Sequence, residues 1–155
     1  MTAILGLNAF HADSAACLVI DGRLVGAVAE ERLGRREKHS SSFPENAVRW
    51  LLADNKLKLS DITHVALPRD TSANRGAKMA YVLANPLSGG TAAVEPFLRC
   101  GRTQTMIERL AGICGEDPAT VKFQTVLVEH HLAHVASAYY CSPFDGLAAG
   151  FSYDA

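Results

Sequence analysis

Short apolar runs, not a helical stripe, open the chain. Residues 3–8 form one run and residues 15–20 a second, separated by the turn-forming stretch 9–14. Asp21-Gly22 readily takes the positive φ angles of a type I′ hairpin turn, and residues 23–30 continue as a third strand. Three successive strands with a tight hairpin predict an antiparallel meander. The period then changes. Ser42-Phe43-Pro44-Glu45 is a helix start, with Ser42 or Phe43 near the cap and Pro44 in the first turn. Ala47, Trp50, Leu51 and Leu57 recur behind it at helical spacing. Residues 61–67 read as a fourth strand, stopped by Pro68. Asn85-Pro86, Gly89-Gly90 and Pro96 mark loops around one short helix at 76–83. Residues 102–114 predict a helix and 123–128 a fifth strand. Residues 132–140 are small and apolar enough for a tightly packed helix, which Ser142-Pro143 stops, and 147–153 predict a further strand.

The order is therefore βββαβαβα with one strand more. It predicts an α/β fold: a mixed sheet of a three-strand antiparallel meander plus two further strands, with helices on both faces. One lobe of the actin, Hsp70 and sugar-kinase superfamily, a ribonuclease H-like lobe, has this order. Residues 1–145 are expected to form such a first lobe, and residues 146–155 the first strand of a second. A strand with an apolar face and no helix to cover it is an exposed edge. The expectation is a piece of a longer protein or one partner of a split one, which alone would associate with itself, as a homodimer, or with a partner.

Composition narrows the class. A chain of 155 residues suits one compact domain. With 15 Lys plus Arg against 16 Asp plus Glu the formal charge is -1, which speaks against a broad nucleic-acid surface. Cys17, Cys100, Cys114 and Cys141 make no C-x-x-C pair, and Cys17 and Cys141 read as buried free thiols. No apolar run approaches the roughly 20 residues that span a bilayer. Together these features predict a cytoplasmic protein that engages neither membrane nor nucleic acid.

Three stretches can carry chemistry. Val128-Glu129-His130-His131-Leu132-Ala133-His134 places His130 and His134 four residues apart. On a helix both imidazoles share a face and can grip one metal ion, whereas His131 points about 100° away from His130. Imidazole suits iron, zinc or nickel, and two ligands do not close a site. The alternative is a plain polar helix start, but the pair follows an apolar strand, where open α/β sheets place ligands. The turn holding His11, Asp13 and Ser14 is small and polar enough to let backbone N–H groups approach an anion. His11 and Asp13 can also serve as acid or base, and the alternative is a hairpin with an Asp bonded to its own backbone. The third stretch, Glu30-Glu31-Arg32-Leu33-Gly34-Arg35-Arg36-Glu37-Lys38-His39, is either a solvated charged face or a strap that brings Lys38 over the first hairpin as a cation for a phosphate.

Taken in order, these blocks resemble the NodU/CmcH-type carbamoyltransferases, which transfer carbamoyl groups to hydroxyls in antibiotic and nodulation-factor biosynthesis. The resembling residues are Gly6-Leu7-Asn8, His11 to Ala16, Asp21-Gly22, Glu30-Glu31-Arg32, Lys38-His39 with Phe43-Pro44, the stretch from Val128 to His134, Ala136 to Tyr140, and Ser142-Pro143-Phe144. Residues 70–120 match loosely. The resemblance implies the N-terminal part of a Kae1/TsaD-like domain that works with a YrdC-like module. That module would make carbamoyl-adenylate from carbamoyl phosphate and ATP. The Kae1/TsaD-like part would pass the carbamoyl group to a small-molecule hydroxyl acceptor. It implies a metal ion, iron or another divalent transition metal, on His130, His134 and an aspartate late in the chain that has no counterpart here. Catalytic roles then fall to His11, Asp13 and Lys38, and substrate or phosphate binding to Ser14, Arg69 and Asp154. The family usually has Asp-Gly where this chain has Asp154-Ala155, so the second phosphate turn is expected to be absent or altered. A half of a TsaD-like threonylcarbamoyl-transfer protein and a non-catalytic lobe binding a metal or partner are the competing expectations.

Overall fold

The computed structural model describes residues 1–9, 13–34, 42–68 and 102–153. Strands β1 (Ala3–Asn8), β2 (Ala15–Ile20) and β3 (Arg23–Ala29) form the expected meander. The β2–β3 hairpin turns at Asp21 (φ 46°) and Gly22 (φ 80°), the two positive φ angles a type I′ turn needs. A short helix α1 (Glu30–Leu33) follows, then α2 (Glu45–Asp54), a 3-10 turn (Leu59–Asp61) and β4 (His64–Leu67). Helix α3 (Arg102–Cys114), β5 (Gln124–Leu127) and α4 (His130–Tyr140) complete the chain. The expected helix at 76–83 lies outside the described residues.

The strands form one mixed sheet in the order β3-β2-β1-β4-β5. β1 pairs antiparallel with β2 and parallel with β4, and β4 pairs parallel with β5. The meander plus two parallel strands is the predicted mixed sheet. Alternation decides which face is filled. Ala3, Leu5 and Leu7 of β1 and Ala16 and Leu18 of β2 are buried, while their neighbours are only half-buried. The buried set meets Ala47, Val48, Leu51 and Leu52 of α2 and Met106, Leu110, Ala111 and Ile113 of α3 in one core. On the other face Gly6 lies so close to Cys17 that a Cβ there would stand 2.6 Å from its Sγ.

Three expectations change. Helix α2 starts at Glu45, and its N-cap Pro44 offers no side-chain bond. The first-turn N–H groups are met from a distance instead: the buried Glu30 carboxylate accepts from Asn46 N (3.1 Å), Asn46 Nδ2 (2.6 Å) and Ala47 N (2.8 Å). Cys141 is exposed, and Cys17 is half-buried rather than buried; burial pushes the Cys17 thiol above its ordinary range, partly opposed by a backbone hydrogen bond from Gly6. Residues 147–153 form no strand. Their apolar composition suits a ladder, but among the described residues no strand pairs with them, and Leu147, Phe151 and Tyr153 stand exposed. The segment instead folds back on α4: Tyr139 Oη donates to the Gly146 carbonyl (2.9 Å), and Gly150 lies against Val135.

Candidate functional site

The three parallel strands β1, β4 and β5 end together. Gly6 is level with Ala66, and Ala66 with Val126, so the turn after β1 and the start of α4 share the carboxyl edge of the sheet. Two strand steps, about 10 Å, separate them. Ligands of open α/β sheets lie outside that edge.

Helix α4 begins on the metal-candidate pair because Glu129 caps it. The Glu129 carboxylate accepts from Leu132 N (2.8 Å), and its carbonyl accepts from Ala133 N (2.8 Å). Backbone N–H groups of Leu132 and His131 hold the carboxyl below its usual value, assisted by the nearby His131 and His130. Glu129 is therefore a cap in its charged form and not a proton donor. Sequence reasoning placed the helix start two residues later and gave Glu129 no role; an acidic residue directly ahead of a helical run was the signal.

One turn of helix brings His130 and His134 together. Their Nε2 atoms are 3.2 Å apart and their rings lie edge to face, centroids 4.6 Å apart at 84°. In one tautomeric combination one N–H donates to the other nitrogen. The same geometry fits a shared ion: two nitrogens each about 2.0–2.1 Å from a tetrahedral metal stand about 3.3 Å apart. His131 faces elsewhere, with Nδ1 3.1 Å from Ser152 Oγ. No group of three His, Cys, Asp or Glu among the described residues converges on an ion, so the pair supplies two ligands and no more.

The first turn is built as tightly. Asp13 is exposed at φ 59°, and its carbonyl accepts from Asn8 Nδ2 (3.2 Å). The Ser14 carbonyl accepts from Glu30 N (2.9 Å). Ser14 is 1% exposed, and among the described residues its Oγ has no hydrogen-bond partner. Such a buried hydroxyl costs on the order of 1–3 kcal/mol until something bonds to it. His11, Lys38, Arg69 and Asp154 lie outside the described residues. Of the expected site residues, then, the structure places His130, His134, Asp13 and Ser14 at one sheet edge. It also exposes Glu30, read before only as part of a charged run, as the buried group that joins the turn to α2.

Comparison with known proteins follows the same boundaries. The sequence model of the family described as "Carbamoyltransferase N-terminus" matches residues 3–151. The uncharacterized protein sll1178 of Synechocystis sp. is 32% identical over 96% of this chain and 25% of its own length. The nodulation protein NolNO of Sinorhizobium fredii is 34% identical over 89% of this chain and 19% of its own. The chain thus spans a quarter or less of these two relatives. Among solved structures, YeaZ from Pseudomonas aeruginosa aligns with 90% of this chain and 48% of its own, at 18% identity and a TM-score of 0.42. Among the described residues no helix is long and apolar enough to cross a membrane.

Proposed function

Because the chain belongs to the carbamoyltransferase N-terminus family, we propose that it forms one wall of a carbamoyltransferase site in the cytoplasm, passing a carbamoyl group to the hydroxyl of a small molecule. The observation that carries this is the convergence of His130 and His134 at the carboxyl edge of the sheet, level with the first turn. The donor in this proposal is carbamoyl-adenylate, made from carbamoyl phosphate and ATP by a YrdC-like module in cis or in trans.

Each residue has a separate task. His130 and His134 would hold a divalent ion, iron first among candidates, with a further ligand from outside this lobe. Such an ion, when bound, supplies Lewis-acid polarisation of a carbonyl or phosphoryl oxygen. Ser14 Oγ, buried and without a partner among the described residues, can donate to an anionic oxygen of the donor. Asp13, or His11, would accept or position the acceptor hydroxyl's proton. Lys38 and Arg69 would offset developing negative charge, and Asp154 would contact the substrate.

The isolated chain is expected to be inactive, since it presents one wall and two ligands. A chimera tests the function: this chain replaces the matching quarter of the Synechocystis relative, and the intact relative runs alongside. With carbamoyl phosphate, ATP, iron and a panel of hydroxylated acceptors, the chimera should make carbamoylated product detectable by mass, and His130→Ala should abolish it. A folded, inactive chimera beside an active parent would sink the proposal. Product from the isolated chain supplied with carbamoyl-adenylate would show that one lobe suffices.

A further inference from the structure

We propose that Glu30 is a positioning residue that ties the first hairpin turn to α2 and so fixes where the Ser14 hydroxyl sits. Two separate sets of bonds meet at this residue. Its carboxylate accepts from Asn46 N, Asn46 Nδ2 and Ala47 N at 2.6–3.1 Å. Its own N–H donates to the Ser14 carbonyl at 2.9 Å. Glu30 is 7% exposed, so these bonds form largely out of water. The N-terminus of α2 is thereby filled by a side chain of the chain itself, which removes it as an anion site and makes it an anchor instead. From the other end Asn8 Nδ2 holds the Asp13 carbonyl. The carbonyls of Asp13 and Ser14 are both gripped, and the buried Ser14 hydroxyl has no partner among the described residues. A carboxylate that accepts three hydrogen bonds at the first turn of α2 can hold the hairpin turn still; an amide in its place turns one acceptor into a donor facing the N–H groups of α2.

A helix cap alone would affect stability wherever α2 is loosened, whereas a positioning role must act on the turn specifically. The control is Leu52→Ala, which weakens α2 in the core without touching the carboxylate. Amide hydrogen exchange is measured on the 155-residue chain for the wild type, Glu30→Gln and Leu52→Ala. The expected result is that exchange at residue 30, whose N–H bonds Ser14, and at Ala15 speeds up at least tenfold more in Glu30→Gln than in Leu52→Ala, with Glu30→Asp in between. This arm stands without any activity. The second arm rests on the carbamoyltransferase proposal: in the chimera, Glu30→Gln should raise KM for carbamoyl-adenylate at least tenfold with kcat changed less than threefold, and Leu52→Ala should leave both within twofold. Equal acceleration of exchange in Glu30→Gln and Leu52→Ala would reduce Glu30 to a cap and overturn the inference. A failed second arm beside a successful first would leave the positioning role intact and count against the carbamoyl donor.

Discussion

The two ends of this lobe are held by different means. Leu5, Leu18, Leu51 and Leu59 in the first sixty residues are 0% exposed. By contrast, α4, which carries the histidine pair, has no buried residue, and its Leu132 and Tyr140 are 58% and 82% exposed. The meander and α2 are thus fixed by a core. Helix α4 is fixed by a cap, by the β5 ladder leading into it, and by the tail that folds along it. The residues that place the histidine pair are therefore not those that fill the core, and substitutions should separate the two.

The largest separation is in folding free energy. Leu51→Ala or Leu5→Ala removes a fully buried side chain from the single core and should cost about 3–5 kcal/mol, enough to unfold much of the population. Leu132→Ala on α4 should change stability by less than about 0.5 kcal/mol. Urea titrations of the three variants measure this directly. A loss at Leu132 as large as at Leu51 would mean that α4 has a packed face and would erase the contrast.

Next in size is the close approach within the sheet. Gly6→Ala drives a methyl group onto Cys17 Sγ, and crowding of this kind costs about 1–3 kcal/mol. Adding Cys17→Ala should recover most of the loss. Gly112 in α3 meets nothing within 4 Å, so Gly112→Ala should gain up to about 1 kcal/mol from helix propensity. Thermal melts of the four proteins give the signs. If Gly6→Ala proves harmless, the second face of the sheet is looser than the first by more than its burial shows.

How much of this was legible in the sequence follows from the range of the interactions. The meander was legible because period-two alternation and Asp21-Gly22 are local. The cap of α2 was not, because Glu30 reaches Asn46 and Ala47 from 16 and 17 residues upstream and leaves Pro44 without a role beyond its φ angle. Trp50 fits the helical spacing yet is 43% exposed, since spacing gives the face but not what covers it. The apolar run 147–153 reads as a strand for the same reason: composition permits a ladder, and only a partner makes one. The histidine pair was legible because i, i+4 geometry is fixed by the helix itself.

On the site side of the comparison, His130→Ala and His134→Ala should each weaken metal binding at least tenfold, about 1.4 kcal/mol. His131→Ala, whose ring bonds Ser152 instead, should leave it within about threefold. Titration of the chain with cobalt or zinc, followed by absorbance or calorimetry, measures all three. Equal affinities would mean that the two Nε2 atoms do not hold the metal.

The smallest effect concerns how α4 is started. Glu129 accepts from Leu132 N most strongly as a carboxylate, and its bonds hold its pKa below the ordinary 4.5. A carboxyl whose folded value is depressed stabilises the folded form above its unfolded value and loses that contribution as pH falls through the folded one. The first turn of α4 should therefore be intact at neutral pH and fray at pH values below about 4.5. Glu129→Gln should fray it at every pH, because the neutral amide loses the charge that favours a helix N-terminus. His131 and His130 face the same carboxylate and strengthen its charged form, so His131→Ala should move the fraying to slightly higher pH. Amide exchange at Leu132 and Ala133, followed across the acid range, reads the turn itself and not the core. Fraying that is independent of pH in the wild type and unchanged in Glu129→Gln would mean that the β5 ladder and the folded-back tail hold α4 without its cap. The histidine pair would then owe its geometry to those contacts.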